Sequence, residues 1–315
     1  MYVSVPQVSL RDRVAALFTK VGTVKAGDRV EILERQKRFA RVRTPSGQEG
    51  WLEQRYLVDQ KVFDEIQKMT ADATARPPQG TATARSQTNL HVAPGRETDH
   101  IFQLEDGAKV QVLARATAEK PGAVAPASLK TKKTAAGQED EPQPVREDFW
   151  LVRSAQGRAG WVLARMLDLD VPLEIAQYAE GQRTVAYFAL NEVPDADKKV
   201  PQYLVALSEP RDGLPFDFNQ VRVFTWNVKR HRYETAYRER NLFGLLPIRT
   251  GQEEFGKEGR LPMFSFRIQD EDGNTAERKY KLNTPIVRRV LAPGEQTVRS
   301  ARTSTAKSNH RHKSK

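Results

Sequence analysis

Cysteine, histidine, paired carboxylates and cations beside aromatic rings are the side chains from which catalysis, metal binding and phosphate recognition are built. This chain is sparing with them. Cysteine is absent, which removes thiolate zinc sites, iron–sulfur clusters, disulfides and every cysteine nucleophile. Of the five histidines, His310 and His312 form an i, i+2 pair near the C-terminus with no third ligand beside them, so no metal site is expected. His91 and His100 fall in a loop-rich folded stretch, and His231 on a hairpin tip. No phosphate loop, dinucleotide fingerprint, His-Glu-x-x-His motif or Gly-x-Ser-x-Gly elbow occurs. Asp270, Glu271 and Asp272 could serve a hydrolase, but Asp272-Gly273-Asn274 reads as a hairpin turn and accounts for them. Lys229, Arg230, His231 and Arg232 stand beside Trp226, Tyr233 and Tyr237. Such a tip could hold phosphate and stack a base, while the plainer reading is a solvated charged loop. The expectation is a protein that is not an enzyme and needs no metal and no cofactor.

The chain that must position these residues has 315 residues, 38% hydrophobic and 29% charged, a composition for two or three globular domains. No apolar run approaches the roughly 18 to 20 residues of a spanning helix, so no membrane span is expected. The net charge of +11 makes nucleic acid, anionic lipid and wall polymer plausible polyanionic partners. Tyr2-Val3-Ser4-Val5 already reads as a strand directly after Met1, leaving no room for a leader. The protein is then either cytoplasmic, or an envelope or periplasmic protein whose true start lies upstream.

The chain repeats itself. Gly27-Asp28-Arg29-Val30-Glu31-Ile32-Leu33-Glu34-Arg35 aligns with Gly107-Ala108-Lys109-Val110-Gln111-Val112-Leu113-Ala114-Arg115. Phe39 to Arg43 and Gly47 to Leu52 align with Phe149 to Arg153 and Gly157 to Val162. The second copy is longer, and its extra residues, between Arg115 and Phe149, are rich in Pro, Ala, Lys, Thr and Glu, the composition of a flexible insertion. Each copy is a series of short alternating runs broken by glycine turns, the pattern of a small antiparallel barrel.

Pattern and length resemble the bacterial SH3 (SH3b) family. The opening motif of that family stands here as Leu90-His91-Val92-Ala93-Pro94-Gly95-Arg96 in the second copy, and the closing one as Gly50-Trp51-Leu52-Glu53-Gln54-Arg55-Tyr56-Leu57 in the first. Asp12 replaces the opening Val of the first copy, and Met166 the closing Tyr of the second. The resemblance implies a peptide groove lined by Phe39 and Tyr56 in one copy and by Phe149 with Trp150 in the other. Gly50 and Gly160 are expected at tight backbone positions, with Trp51 and Trp161 plugging the barrel ends. Envelope cysteine peptidases often carry such modules, but their nucleophile is missing from this chain.

Two helical patterns follow the barrels. Asp59 to Ala71 carries Val62, Phe63, Ile66 and Met69 on one face, and a shorter one runs from an Asp170 cap to Gly181. Arg76-Pro77-Pro78-Gln79-Gly80 reads as a linker. Seven strand candidates between Val185 and Val290 suggest one sheet or sandwich domain that resembles no familiar family. The last segment, Glu295 to Lys315, has six basic residues and one acid and is expected to be disordered. The fold class is mainly β, with barrels at 1–58 and 82–168 (insertion 116–148), joints at 59–81 and 169–181, a β-rich domain at 182–292 and a basic tail from 293. The expected role is binding or scaffolding at the bacterial cell envelope. Its partners would be peptides, peptidoglycan or other envelope proteins, and a cytoplasmic nucleic-acid-associated protein is the alternative.

Overall fold

The computed structural model describes residues 1–124, 144–270 and 272–291. The centre of the insertion, Glu271, the basic tail and the His310, His312 pair therefore lie outside the described residues. The protein is mainly β, built from antiparallel sheets with two short helices.

The first unit contains β1 (Tyr2–Val3), β2 (Gln7–Arg11), β3 (Lys20–Lys25), β4 (Glu31–Gln36), β5 (Phe39–Arg43), β6 (Glu49–Glu53) and β7 (Leu57–Val58), with sheet orders β3-β2-β6-β5-β4 and β1-β7. Alternation decides what enters its core: Leu10, Ala40, Val42 and Leu52 point inward with Val3, Val24 and Val30, and the residues between them face out. The second unit contains β8 (Gly80–Ala84), β9 (Thr88–His91), β10 (His100–Leu104), β11 (Lys109–Val124), β12 (Pro144–Ser154), β13 (Ala159–Leu163) and β14 (Leu167–Leu169). Its order, β10-β9-β13-β12-β11-β8-β14, repeats the first strand for strand. Even the register shift recurs, at Leu33 in β4 and Leu113 in β11.

Gly50 and Gly160 have the same role in each unit, though neither has a positive φ. A Cβ on Gly50 would sit 2.7 Å from Cβ of Leu10, and one on Gly160 2.5 Å from Cβ of Leu90, so glycine is required for the close crossing of two strands.

Helix α1 (Gln60–Thr74) joins the units, capped by Asp59, whose carboxylate accepts from Val62 N at 2.9 Å. Its first turn holds the first unit: Phe63 stacks on Tyr2 at 3.8 Å, and Tyr2 Oη donates to Gln60 Oε1. Its last turns hold the second, with Met69 and Ala73 against Leu113, Leu151, Ala159 and Trp161. Arg153 donates to the carbonyls of Ala73 and Thr74 at 2.9 and 3.0 Å, closing the helix C-terminus.

Two four-stranded meanders form the C-terminal part: β15 (Arg183–Asp195), β16 (Lys198–Ser208), β17 (Gln220–Asn227) and β18 (Arg232–Glu239), then β19 (Gly244–Glu254), β20 (Arg260–Gln269), β21 (Thr275–Asn283) and β22 (Ile286–Val290). The first sheet is buried on both faces. Leu204, Ala206, Val221 and Val223 face the second sheet and the second barrel, while Tyr203, Val205, Leu207 and Phe224 face Ile175 and its neighbours in α2 (Leu173–Ala176) and the turn after it. β19 is absent from the sequence reading because Gly244, Pro247 and Gly251 interrupt its pattern. It tolerates them as an edge strand, its pairing with β20 broken between Leu245 and Arg249.

The structure revises three joints. Both ends of the insertion are strand, with Ala116 to Glu119 pairing with Phe149 to Arg146, because the hairpin continues along the C-terminal part. Asp170 is not a cap; its carboxylate accepts from Thr83 Oγ1 at 2.6 Å and Lys109 Nζ at 3.0 Å, while Pro172 begins the helix. Gln79 is no free linker residue: it is fully buried, its Nε2 donating to the carbonyls of Pro77 and Ile248.

Candidate functional site

On the first barrel, the outward residues of β5 and β6 join Arg11, Phe18 and Arg38 in a surface of four arginines and three aromatic rings. Phe39, Arg41 and Arg43 alternate with the inward Ala40 and Val42. Phe39 is 5% exposed, because the guanidiniums of Arg11 and Arg38 lie over its ring at 5.3 and 5.2 Å from the centroid. Arg11 also covers Phe18 at 4.2 Å, which makes a continuous Phe18, Arg11, Phe39, Arg38 stack held by cation–π attraction. Trp51 stands half-buried beside it, opposite Arg41 on one strand and Arg11 on the other.

The rim is organised by charge. Glu49 takes Arg43 at 2.8 Å and Arg41 at 2.9 Å, and the Arg43 hydrogen bond, foremost, holds its carboxyl below the usual range. Gln54 Nε2 donates to the carbonyls of Lys37 and Phe39 at 2.8 and 3.1 Å and fixes the turn that presents Arg38. Arg55 lies 4.9 Å over the ring of Tyr56 and donates to its hydroxyl. Tyr56 itself packs on the inner core, on the side of the sheet opposite to Phe39. The structure thus divides the two aromatics assigned to one groove, and puts Trp51 and Phe18 beside Phe39 instead.

The same face of the second barrel is occupied. Leu151 stands where the repeat has Arg41, Ala159 where it has Glu49, and Trp161 where it has Trp51; α1 covers all three. Neither tryptophan plugs a barrel, since each alternates with inward residues and faces out: Trp161 lies under the helix and Trp51 between arginines. Phe149 and Trp150 do not form a groove, being 1% and 7% exposed. As neighbours on a strand they point to opposite faces, and Trp150 joins the core shared with the C-terminal sheets. It forms part of the wall of a cleft of about 460 Å³ with Arg85, Arg165, Leu167 and Arg183.

The basic hairpin tip carries its own counterions. Asp195 accepts from Trp226 Nε1 at 2.7 Å and lies 2.9 Å from His231 Nδ1, and Glu234 takes Arg230 and Arg232 at 3.2 Å each. The Trp226 hydrogen bond is the main reason that the Asp195 carboxyl lies below its ordinary range. Tyr233 is buried, its hydroxyl donating to the Pro201 carbonyl, and Tyr237 is half-buried, its ring against Tyr280 and the shared core and its hydroxyl donating to Glu239. Asp270 closes its turn by accepting from Asn274 N at 2.8 Å. The rings of His91 and His100 meet edge to face at 5.5 Å; among the described residues, no three His, Asp or Glu side chains cluster as a metal site would need.

Two features were missed in the sequence. Phe18 and its neighbours belong to an unbroken apolar run, Val14-Ala15-Ala16-Leu17-Phe18, which is a visible signal for a segment outside the alternating strands. The buried ion network of Asp148 with Arg115 and Arg183 has no such signal, since its members come from three distant places in the chain.

Comparison with known proteins gives a local match. No curated protein matches the chain. Among solved structures, similarity is found to an NlpC/P60 family protein from Bacillus cereus ATCC 10987, at 10% identity and a TM-score of 0.22, over 90% of this chain and 94% of that one. NlpC1 from Trichomonas vaginalis is similar at 11% identity and a TM-score of 0.18, over 91% and 89%. Residues 15–58, which contain Phe18, Arg38, Phe39 and Trp51, match the bacterial SH3 domain family.

Proposed function

We propose that the protein is a noncatalytic binding or scaffold protein of the bacterial cell envelope, and that its first barrel recognises peptides or cell-wall peptide material through Trp51, Phe18 and the guanidiniums of Arg11 and Arg38 that cover the buried Phe39. The observation that carries this reading is the stack itself, of which Phe18, Arg38 and Phe39 lie within residues 15–58 that match the SH3 family. Flat aromatic surface is how SH3-type grooves bind extended peptides, and the flanking guanidiniums add affinity for carboxylates. The second barrel, as a repeat of the first, uses its equivalent face internally to seat α1. It then works with the C-terminal sheets as a rigid support.

The test is cosedimentation of the full chain with peptidoglycan sacculi at low and high salt, alongside retention on duplex and single-stranded nucleic acid. Sacculus binding that survives salt, disappears in Trp51→Ala with Arg38→Ala and persists after deletion of residues 295–315 supports the reading. Retention on nucleic acid alone, steeply salt-dependent and abolished by that deletion, overturns it, because such binding is carried by phosphate contacts.

A further inference from the structure

The loop between β2 and β3 is built unlike any other exposed segment of the first barrel. Residues 12–19 form neither helix nor strand, yet the loop is closed at its base: Asp12 N donates to the Thr19 carbonyl at 3.0 Å, and Thr19 N to Asp12 Oδ1 at 2.7 Å. Between these pins lie five consecutive apolar residues, Val14 to Phe18, of which the last four are exposed. Leu17 is 89% and Phe18 41% exposed, the one adjacent pair of exposed large hydrophobics among the described residues. A run of this kind left in water is unfavourable, and a fold retains it where something covers it.

Cations surround the apolar tip. Arg13 and Lys20 flank it in sequence and are exposed, and the Arg11, Phe39, Arg38 stack brings Arg38 of the β4–β5 turn to the same side. The nearest carboxylate, Asp12, is already engaged by Thr19 N and Arg13, and the Arg13 hydrogen bond is the main cause of its lowered pKa. The side chains of Val14 to Phe18 hold no hydrogen-bonding group, so they offer a protein partner no directional recognition. A bilayer asks for none: it takes apolar side chains at the acyl boundary and cations at the phosphates.

We propose that the loop 12–19 docks the first barrel on an anionic lipid bilayer, with Leu17 and Phe18 inserted at the headgroup boundary and Arg13, Lys20 and Arg38 on lipid phosphates. This goes beyond the peptide-binding reading and shares Phe18 and Arg38 with it, so the variants that separate the two are Leu17→Asp, which leaves Trp51 and Arg38 in place, and Trp51→Ala, which leaves the loop 12–19 unchanged.

The probe is vesicles of phosphatidylglycerol and phosphatidylcholine in equal parts, against phosphatidylcholine alone, in cosedimentation with the full chain. Binding is expected to the mixed vesicles, weaker at high salt as surface charge is screened. Leu17→Asp should lower the bound fraction by about tenfold or more, the scale of withdrawing one buried leucine from apolar surroundings. Leu17→Trp should raise binding and shift indole emission to shorter wavelength on mixing with vesicles. Leu17→Asp should retain the sacculus binding of the unmodified chain, and Trp51→Ala the vesicle binding, so that the two readings fail separately. The proposal is overturned by absent vesicle binding at low salt, by equal binding of Leu17→Asp, by an unshifted Leu17→Trp spectrum, or by loss of vesicle binding on deleting residues 295–315 alone. Crosslinking of the loop to a protein in the absence of any vesicle binding overturns it too.

Discussion

Gln79 and Ile248, far apart in sequence, are joined as two strands are: Gln79 Oε1 accepts from Ile248 N at 2.8 Å, and Gln79 Nε2 donates to the Ile248 carbonyl at 3.2 Å. The Gln79 main chain pairs on both sides as well, its N–H donating to the Val112 carbonyl and its carbonyl accepting from Tyr187 N. One buried residue therefore ties β11 of the second barrel to both C-terminal sheets, through its main chain to β11 and β15 and through its side chain to β19, and those sheets share one hydrophobic core with the barrel. Gln79→Ala leaves the Ile248 N–H and carbonyl without partners in a dry site, so a loss of about 2–3 kcal/mol is expected. Urea unfolding of the full chain measures it, and a midpoint equal to that of the unmodified protein would refute this role.

The same interface holds a second device. Asp148, fully buried, binds Arg115 at 2.6 Å, Arg183 at 2.7 Å and the Gly213 N–H at 2.9 Å. Asp148→Asn leaves two guanidiniums facing one neutral amide, and breaking a buried pair in this way costs about 3–5 kcal/mol. Thermal unfolding should show a lower midpoint for the second barrel and C-terminal sheets together. Two separate transitions in the unmodified chain would argue against a common unit.

Arg43 and Arg153 occupy one position of the repeat with different consequences. Arg43 pairs with Glu49 and Glu31 in solvent, whereas Arg153 closes the C-terminus of α1 and also donates to Gln111. Arg153→Met is expected to destabilise by about 1–3 kcal/mol, and Arg43→Met to leave the unfolding midpoint unchanged. Denaturant titration of both variants decides the matter, and equal effects would contradict it.

Ile66 is 2% exposed in the middle of α1. Ile66→Ala should cost about 2–4 kcal/mol through lost burial and an unfilled cavity. Amide exchange should rise first along Gln60 to Thr74. Unaltered protection there would show that the helix needs no tertiary support.

His100 gives the stability a pH dependence with a defined sign. Burial first, and then the neighbouring His91, lower its pKa below the ordinary value. As pH falls below about 6.5 the unfolded chain takes up the proton before the folded one. This contribution is therefore intact at neutral pH and declines as the pH drops toward the folded-state value. Urea midpoints between about pH 7 and pH 5 should fall less steeply in His100→Gln than in the unmodified protein; parallel slopes would exclude His100 as the source.

How much of this was legible in the residues depends on the distance over which each feature is decided. Strands, turns and the helix from Asp59 follow from periods of two and of three to four, and the repeat is visible because both copies keep Gly-Trp after a turn. A strand signal vanishes where Gly and Pro interrupt it, as in β19, since only the sheet decides whether an edge can bear them. The aromatic face was not legible: the groove expected from Phe39 with Tyr56 and from Phe149 with Trp150 rests on residues of which Phe39, Phe149 and Trp150 are all buried, and burial is decided by what packs over them.

By itself the sequence determined the β class, the bacterial SH3 pattern within residues 15–58, the lack of cysteine chemistry and the excess of positive charge, all of them set by local period or by composition. Tertiary structure alone decided which copy keeps an open face. Arg41 and Glu49 solvate that face in one barrel, whereas Leu151 and Ala159 drive it under α1 in the other. Likewise only tertiary structure made Gln79 a buried joint, because its partner at Ile248 is chosen by packing between distant segments and leaves no trace in spacing.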